Sequence, residues 1–282
     1  MHFKDILSPI VLVSALTPAF AKISKTPPAL PVNGTFPRHY GLLVWPGFSN
    51  GDAFGPVTIL DGLAYNYPQL GIHFSIISAT MDPVTTRLFN NENTDKNTPF
   101  SDFEFKVQPT DTIDAVLARN GTTWAEPYPP AKGQENGENV KKALSPIDVL
   151  IVPGGGTGGN TRSVEAKFIK ELYPQFQAVV STCTGSTMFA LAGILDGRRA
   201  TTNKYMVNWI AKQYPKVQWV DRARWVRDGN IWTGSGLAAG VDVMYAWSDS
   251  VFGKDVTDFL LARVEQPRWD SADNDPYADI WE

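Results

Sequence analysis

Short apolar runs separated by longer segments of helical character recur along this chain. Continuous apolar runs bounded by glycine or proline are typical of strands that are buried on both faces of a parallel sheet. Such runs predict strands over residues 40–45, 73–79, 147–152 and 177–182, with a short strand over 198–202. Helices are predicted from Gly55-Pro56 through Leu63 and over residues 238–252. This alternation predicts an α/β fold with a doubly wound, mostly parallel sheet.

The remaining segments set the predicted domain boundaries. Residues 219–220, 223–226 and 231–233, with the turn Arg227-Asp228-Gly229-Asn230 before the last run, predict a late hairpin. The chain is interpreted as a proline-rich extended leader (22–38), one α/β domain (39–265) and an acidic, aromatic tail (266–282). Polar residues 91–145 predict a surface insertion, which is either a lid over the site or a decoration that carries a glycan.

The first 21 residues match the pattern of a secretory signal peptide. An apolar stretch over residues 6–20 ends in Ala19-Phe20-Ala21, a small-x-small cleavage pattern. A buried N-terminal helix or a membrane anchor is the alternative, but Pro9 and Pro18 interrupt the stretch, which is too short to span a bilayer. The sequence therefore predicts a protein that is secreted or held in the endomembrane lumen, with Asn33 and Asn120 as candidate glycosylation sites.

Charge and composition favour a small-molecule substrate over a macromolecular partner. The formal net charge is -4, and no run of lysine or arginine offers a surface for nucleic acid. Once the signal is removed, no association with a membrane is expected. The chain has only three histidines, His2, His39 and His73, and they form no metal-ligand pattern with cysteine. The sequence therefore predicts no metal site.

Cys183, the only cysteine, lies where a buried strand turns at once into a helix. At such a turn the sulfur stands above the sheet, and the following helix N-terminus favours the thiolate. A small buried thiol without chemistry is the alternative, although a core cysteine does not need so abrupt a turn. An unpaired cysteine in an oxidising compartment is also unusual for a structural residue. Cys183 is therefore the candidate nucleophile.

A carboxylic acid, rather than a histidine, is the expected partner of this thiol. His39 precedes the first strand, and His73 begins a strand at the end of the sheet opposite the site. Asp52 lies where the loop after the first strand enters its helix, within plausible reach of Cys183. The alternative is that Asp52 only caps that helix.

A glycine-rich loop follows the strand over residues 147–152. The loop Gly154-Gly155-Gly156-Thr157-Gly158-Gly159 lacks the lysine of a phosphate-binding loop and the spacing of a dinucleotide fingerprint, so no cofactor is expected. The N–H groups of Gly155 and Gly156, with that of Thr184, are candidates for an oxyanion hole that also binds substrate. A flexible turn is the alternative.

Four segments together carry a family resemblance. They are Val152-Pro153-Gly154-Gly155, Thr182-Cys183-Thr184-Gly185-Ser186, the stretch over residues 192–202 and the stretch over residues 234–242. These segments resemble the ThiJ/PfpI family of the class I glutamine amidotransferase-like superfamily, from about residue 40 to residue 253 without the insertion. The resemblance implies the flavodoxin-like fold of that superfamily in a single domain, and a homodimer.

Within the family, Asp52 before Gly55-Pro56, together with Cys183-Thr184-Gly185, is most similar to the isonitrile hydratases. These enzymes add water to an isonitrile to give an N-substituted formamide. The resemblance implies Cys183 as nucleophile, Asp52 as acid/base group and Thr184 as the neighbour that positions them. Many relatives carry histidine after the Thr-Thr pair, where this chain has Asn203, which disfavours the peptidase, glyoxalase and deglycase activities.

Two other functions stay open from the sequence. One is a glyoxalase, deglycase or hydrolase of the same family, which uses the same thiol on another electrophilic carbon. The other is a catalytically silent protein that binds a ligand or senses oxidation through Cys183.

Overall fold

A seven-stranded sheet lies at the centre of the part of the chain that the structure describes. The computed structural model describes residues 23–87, 103–125, 142–156 and 162–281. The strands are β1 (His39–Leu43), β2 (His73–Ser78), β3 (Val84–Thr85), β4 (Lys106–Val107), β5 (Asp111–Thr112), β6 (Thr122–Ala125), β7 (Lys142–Pro146), β8 (Val149–Val152), β9 (Ala178–Ser181), β10 (Arg199–Ala200), β11 (Gln218–Trp219), β12 (Trp225–Asp228) and β13 (Ile231–Gly234). The helices are α1 (Asn50–Asn66), α2 (Ile113–Ala118), α3 (Ser163–Leu172), α4 (Ser186–Leu191), α5 (Val207–Gln213), α6 (Leu237–Phe252) and α7 (Lys254–Arg263).

The order of strands in this sheet is β12-β13-β9-β8-β1-β2-β5. All neighbours pair in parallel except β12, which is antiparallel to β13 at one edge. The predicted doubly wound, mostly parallel sheet is therefore confirmed. Because the chain passes from β1 to β2 on one side and later returns to β8 on the other, the order reverses between β1 and β8. The carboxyl ends of strands at such a reversal form the crevice where ligands bind in open α/β sheets.

Helices cover the sheet in two groups around an apolar core. Every residue of β1, β8, β9 and β13 is buried, as expected for strands covered on both faces. Helices α1, α6 and α7 pack on one another, whereas α3 packs on α2 and α4. The site loops therefore extend from the most rigid part of the molecule.

Helix α1 begins five residues before the predicted start at Gly55. Its N-cap is Ser49, whose hydroxyl accepts a hydrogen bond of 3.4 Å from the Asp52 N–H. Proline favours the first turn of a helix, which made Gly55-Pro56 the predicted start, but Pro56 lies inside α1. The spacing Ser49-x-x-Asp52 is similar to that of a capping box and marks the start that the structure has.

Pro56 leaves a carbonyl of α1 free for a contact with the turn after β9. In a helix the N–H of residue 56 would bond to the carbonyl of residue 52, and proline has no N–H. The Thr182 hydroxyl donates to the Asp52 carbonyl instead, at 2.9 Å, and Thr182 is fully buried. The missing helix hydrogen bond at Pro56 thus allows the residue before Cys183 to bind to the first turn of α1.

The late hairpin is confirmed as β12 and β13, with a register from Trp225 opposite Gly234 to Asp228 opposite Ile231. Residues 219–220 do not extend it. Strand β11 instead pairs in parallel with β10, outside the central sheet. The predicted strand over residues 198–202 is accordingly reduced to a two-residue strand in this small sheet.

Part of the predicted polar insertion belongs to the fold itself. Strand β5 pairs with Ile77 and Ser78 of β2 and forms the edge of the central sheet. Helix α2 follows it directly and packs on α3. Describing all of residues 91–145 as a surface insertion was therefore wrong, because 111–118 complete the sheet and its cover. Residues 88–102 and 126–141 lie outside the described residues.

Both ends of the described chain lie on this domain. The Phe36 ring stacks on Phe252 with centroids 5.3 Å apart, and the Tyr67 hydroxyl donates to the Pro28 carbonyl at 3.0 Å. At the other end, the Arg224 N–H donates to the Ala272 carbonyl at 2.7 Å. Among the described helices, none is both long and apolar enough to cross a membrane.

The bond from Thr182 to α1 gives a test of how the helix and the turn are joined. We expect Thr182→Val to lower the free energy of unfolding by about 1–3 kcal/mol, since it leaves a buried carbonyl without a donor. In a Pro56→Ala background the restored N–H can bond to the same carbonyl, so the loss should be smaller. Urea denaturation of the wild type, both single variants and the double variant measures this difference. An equal loss in both backgrounds would contradict the proposed exchange of donors.

Candidate active site

Cys183 lies at a strained turn at the carboxyl end of β9. It begins a short 3-10 helix, Cys183–Gly185, that leads into α4. Its φ is +54°, a conformation that costs a residue other than glycine about 1–3 kcal/mol. The side chain is half-buried. The turn therefore holds the Cys183 side chain at the crevice between the strand ends.

Gly185 allows this turn to approach the loop after β8. A Cβ atom at Gly185 would lie 2.6 Å from the Pro153 carbonyl oxygen and closer still to that of Val152. Neither atom can yield, because both belong to the backbone. A side chain at this position would push the turn, and Cys183 with it, away from the loop.

Asp52 and Cys183 meet over Gly154. A Cβ atom at Gly154 would lie 2.6 Å from Asp52 Oδ2, 2.8 Å from Cys183 Cβ and 3.0 Å from the Thr184 nitrogen. The space that a side chain would fill is thus occupied by the carboxylate and the cysteine. The Asp52 carboxylate and the Cys183 thiol are hydrogen-bond partners across this space. The structure therefore brings the two residues together.

The thiol of this pair keeps its proton in the resting protein. Burial, followed by the charge of Asp52, raises the pKa of the Cys183 thiol to about 12. The Thr184 N–H at the start of the following turn does favour the thiolate, as expected, but burial and the Asp52 charge outweigh it in the resting state. Helix α4 spans only six residues, and the dipole of a helix end is a smaller effect than burial beside a carboxylate.

The carboxylate is buried as well and keeps one oxygen uncommitted. Burial raises the pKa of Asp52, while its hydrogen bonds with Ser49 and Cys183 act in the opposite direction. Within the described residues, Asp52 Oδ1 has no hydrogen-bond partner. Asp52 is the third residue of α1 and not its N-cap. A capping box favours an acidic residue at this position, but capping does not account for its unpartnered buried oxygen. A carboxylate with a raised pKa and a free oxygen beside a protonated thiol is suited to exchange a proton with it.

Asn203 contacts the sulfur from the other side, a role that the sequence did not predict. The rise in the thiol pKa caused by burial is opposed by hydrogen bonds from the Thr184 N–H and the Asn203 side chain. Asn203 Oδ1 accepts from the Tyr205 N–H at 3.0 Å, which leaves the amide NH₂ for the sulfur. Asn203 thus supplies a neutral donor where many relatives have a histidine.

Gly155 and Gly156 of the glycine loop are fixed by Thr184 and by the loop after β1. Residues 157–159 of this loop lie outside the described residues. The Thr184 hydroxyl accepts from the Gly155 N–H and donates to the Gly155 carbonyl, both at 3.1 Å. The Gly156 N–H donates to the Gly47 carbonyl at 2.9 Å. Both candidate oxyanion donors are therefore already used within the protein. Of the three predicted N–H groups, only that of Thr184 faces the sulfur.

The histidines of the described residues lie at the other end of the sheet. His39 pairs with His73 at the first residues of β1 and β2. His39 is buried and bonded to the Ser145 carbonyl at 2.7 Å and the Ser75 hydroxyl at 2.9 Å. His2 lies outside the described residues. Over the same described ranges, no group of three histidine, cysteine or acidic residues could hold a metal ion.

Comparisons with known proteins place this site in a family. A model of the DJ-1/PfpI family matches residues 42–249. The chain belongs to the DJ-1/PfpI family. It is 34% identical to an isonitrile hydratase of Pseudomonas putida over 134 residues, which cover 46% of this chain and 58% of that protein. It is also 33% identical to a deglycase of Pyrococcus abyssi over 107 residues, which cover 36% of this chain and 58% of that protein. The chain thus spans less than two thirds of the length of these curated relatives.

Solved structures of the family share the fold. A ThiJ/PfpI family protein from Pseudomonas syringae superposes with a TM-score of 0.59 at 21% identity, covering 88% of this chain and 87% of that one. Drosophila melanogaster DJ-1beta superposes with a TM-score of 0.57 at 14% identity, covering 82% of this chain and all of that one. At these identities the likeness establishes the fold alone. It confirms the flavodoxin-like sheet, and the family match confirms the ThiJ/PfpI resemblance.

The predictions of a signal peptide, of a secreted or endomembrane location and of glycosylation at Asn33 and Asn120 are wrong. The chain matches the DJ-1/PfpI family, an isonitrile hydratase and deglycases, and none of these matches supports export or glycosylation. Residues 1–21 themselves lie outside the described residues. Because export is not supported, the unpaired state of Cys183 does not bear on its role, and Cys183 is a candidate nucleophile because of its turn and its neighbours.

The effect of Asp52 on the protonation of Cys183 can be measured by alkylation, because Cys183 carries the only thiol of the chain. Because the Asp52 charge raises the pKa of Cys183, we expect Asp52→Asn to shift the pH profile of iodoacetamide alkylation to lower pH. Each unit of such a shift makes alkylation at pH 8 about tenfold faster. Asp61→Asn, on the exposed face of the same helix, is the matched control and should leave the profile unchanged. Equal profiles for all three proteins would mean that the carboxylate does not act on the thiol.

Proposed function

We propose that this protein hydrates an isonitrile to an N-substituted formamide, with Cys183 as the nucleophile and Asp52 as the acid/base group. The single observation that carries this proposal is the direct pairing of carboxylate and thiol over Gly154. The similarity to an isonitrile hydratase of Pseudomonas putida supports the same chemistry. More broadly, the family contains both isonitrile hydratases and deglycases, which act on small molecules.

The first step adds the S–H group to the terminal carbon of the isonitrile. As the Cys183 sulfur bonds to that carbon, Asp52 removes the thiol proton and then delivers it to the same carbon. The product is a thioimidate, in which the former isonitrile carbon carries one hydrogen, the sulfur and the double-bonded nitrogen. A protonated thiol beside a carboxylate suits this step because the proton that the sulfur loses is the one that the carbon gains.

The second step releases the formamide. Asp52, again a carboxylate, takes a proton from water as the water oxygen adds to the thioimidate carbon, and passes this proton to the nitrogen. The carbon–sulfur bond then breaks as the new hydroxyl group becomes the formamide carbonyl, and the hydroxyl proton passes to the sulfur to restore the thiol. Over both steps one water molecule is added to the isonitrile, and no other reactant is consumed.

Two neutral donors support the sulfur while it carries negative charge. The Thr184 N–H and the Asn203 side chain both hydrogen-bond to it and favour the thiolate. The Thr184 hydroxyl also fixes Gly155 beside the pair. We therefore assign Thr184 and Asn203 as residues that hold the thiol and the glycine loop in place. The substrate is a small molecule, and a homodimer stays part of the proposal by family resemblance.

The test is conversion of an alkyl isonitrile to its formamide, followed by mass spectrometry. We expect Cys183→Ala to abolish turnover and Asp52→Asn to reduce kcat by about 10²- to 10⁴-fold, as for loss of a general acid/base group. Asp61→Asn should retain wild-type activity.

Other outcomes of this experiment would assign the protein differently. Formamide production that persists in Cys183→Ala would sink the proposal. Consumption of methylglyoxal without turnover of the isonitrile would favour a glyoxalase or deglycase. A folded wild-type protein that turns over neither the isonitrile nor methylglyoxal would indicate a binding or sensing protein.

A further inference from the structure

A cavity of about 370 Å³ adjoins the candidate site on the side of the α6 N-terminus. Two of its lining residues also contact the site. Asn203 hydrogen-bonds to the Cys183 sulfur, and the Leu237 side chain packs on Gly51, the neighbour of Asp52. The cavity therefore lies one residue away from each member of the catalytic pair proposed above, neither of which lines it.

Large apolar side chains surround this cavity while remaining exposed. Tyr205, Leu237, Tyr277 and Trp281 line it, and their exposed fractions are 67%, 52%, 54% and 49%. The Tyr205 and Trp281 rings meet edge to face with centroids 4.9 Å apart. Exposed apolar side chains gathered around one concave site usually mark a binding surface.

The wall formed by Tyr277 and Trp281 is held by buried charges. Asp275, two residues before Tyr277, is 2% exposed and lies 3.6 Å from Arg224 Nη1 and 3.9 Å from Lys204 Nζ. Arg224 is itself paired with Asp242 at 2.6 Å. This segment is thus anchored in a defined position against the rest of the domain.

The chemistry of the lining favours an uncharged, apolar ligand group. Its charged residues, Lys204, Arg224 and Asp275, pair within the buried cluster, so none is left to recognise an ionic group. An apolar cavity of about 150 Å³ is enough to hold benzene. A cavity of about 370 Å³ therefore has room for a cyclohexyl or aromatic ring.

We propose that this cavity binds the apolar substituent of the substrate, and that Trp281 and Tyr277 make the protein selective for bulky over small isonitriles. The inference rests on the proposed function for the identity of the substrate. The family match ends at residue 249, so this wall is supplied by residues beyond the matched region. The cavity therefore combines residues of the matched region, such as Tyr205 and Leu237, with a wall from beyond it.

The first test compares kcat/KM for cyclohexyl isonitrile and methyl isonitrile. We expect wild type to prefer the cyclohexyl compound and Trp281→Ala to reduce this preference by about 10-fold, within the range for removing part of an apolar pocket. The rate with methyl isonitrile should stay unchanged. Ile280→Ala, which removes an exposed side chain of the same segment outside the cavity lining, is the control and should keep the wild-type preference.

A second measurement needs no isonitrile turnover. The rate of Cys183 alkylation by N-phenyl iodoacetamide, divided by the rate with iodoacetamide, reports whether a ring is accepted beside the thiol. This ratio should fall in Trp281→Ala and in a chain that ends at Pro276, which keeps Asp275, but not in Ile280→Ala. A fall in the ratio without any formamide would uphold the cavity and refute the proposed reaction.

Two results would overturn the inference. One is a ratio that stays at the wild-type value in Trp281→Ala and in the chain ending at Pro276. The other is dissociation of a wild-type dimer by Trp281→Ala in light scattering, because the apolar surface would then be an interface between two copies.

Discussion

The absence of a side chain at Gly154 is the constraint on which the site depends. Any Cβ atom there would overlap the Asp52 carboxylate and the Cys183 side chain. The loop after β8 thus lies directly against both the Asp52 carboxylate of α1 and the Cys183 side chain of the turn after β9. Two contacts keep the Asp52 carboxylate and Cys183 next to each other. Gly185 lies against the Pro153 carbonyl, and the Thr182 hydroxyl donates to the Asp52 carbonyl, which has no helical donor because of Pro56.

Apolar runs and abrupt turns in the sequence predicted the buried central strands and the turn that carries Cys183. Fully buried strands such as β8 and β9 appear as continuous apolar runs, and Cys183 follows one directly. The sequence did not predict β5, because a two-residue edge strand leaves no periodicity to detect. Pro56 marks a helix start in the sequence pattern, but the Ser49 cap sets the actual start of α1. The apolar residues 6–20 fit the pattern of an export signal, which the family match contradicts.

The protonation of Cys183 and the role of Asn203 could not be predicted from the sequence, because both depend on contacts between distant segments. A helix N-terminus after Cys183 predicts a thiolate, but burial and Asp52, 131 positions earlier in the chain, raise the pKa of the thiol to about 12. Asn203 was noted as a missing histidine, and its donation to the sulfur follows only from the fold. The fold thus places a protonated thiol beside a buried carboxylate, where the sequence alone indicated a ready thiolate.

The buried cluster of Lys204, Arg224, Asp242 and Asp275 is best understood as a positioning device. Buried ion pairs add little net stability, because desolvation of the charges offsets their attraction. Removing one partner, however, leaves an unpaired buried charge and costs about 3–5 kcal/mol. Detachment of the segment that carries Asp275 would incur a similar penalty, since Lys204 would lose its carboxylate. The cluster therefore contributes more to the position of the C-terminal wall than to the stability of the domain. A cavity can select ligands by size only if its wall has a fixed position.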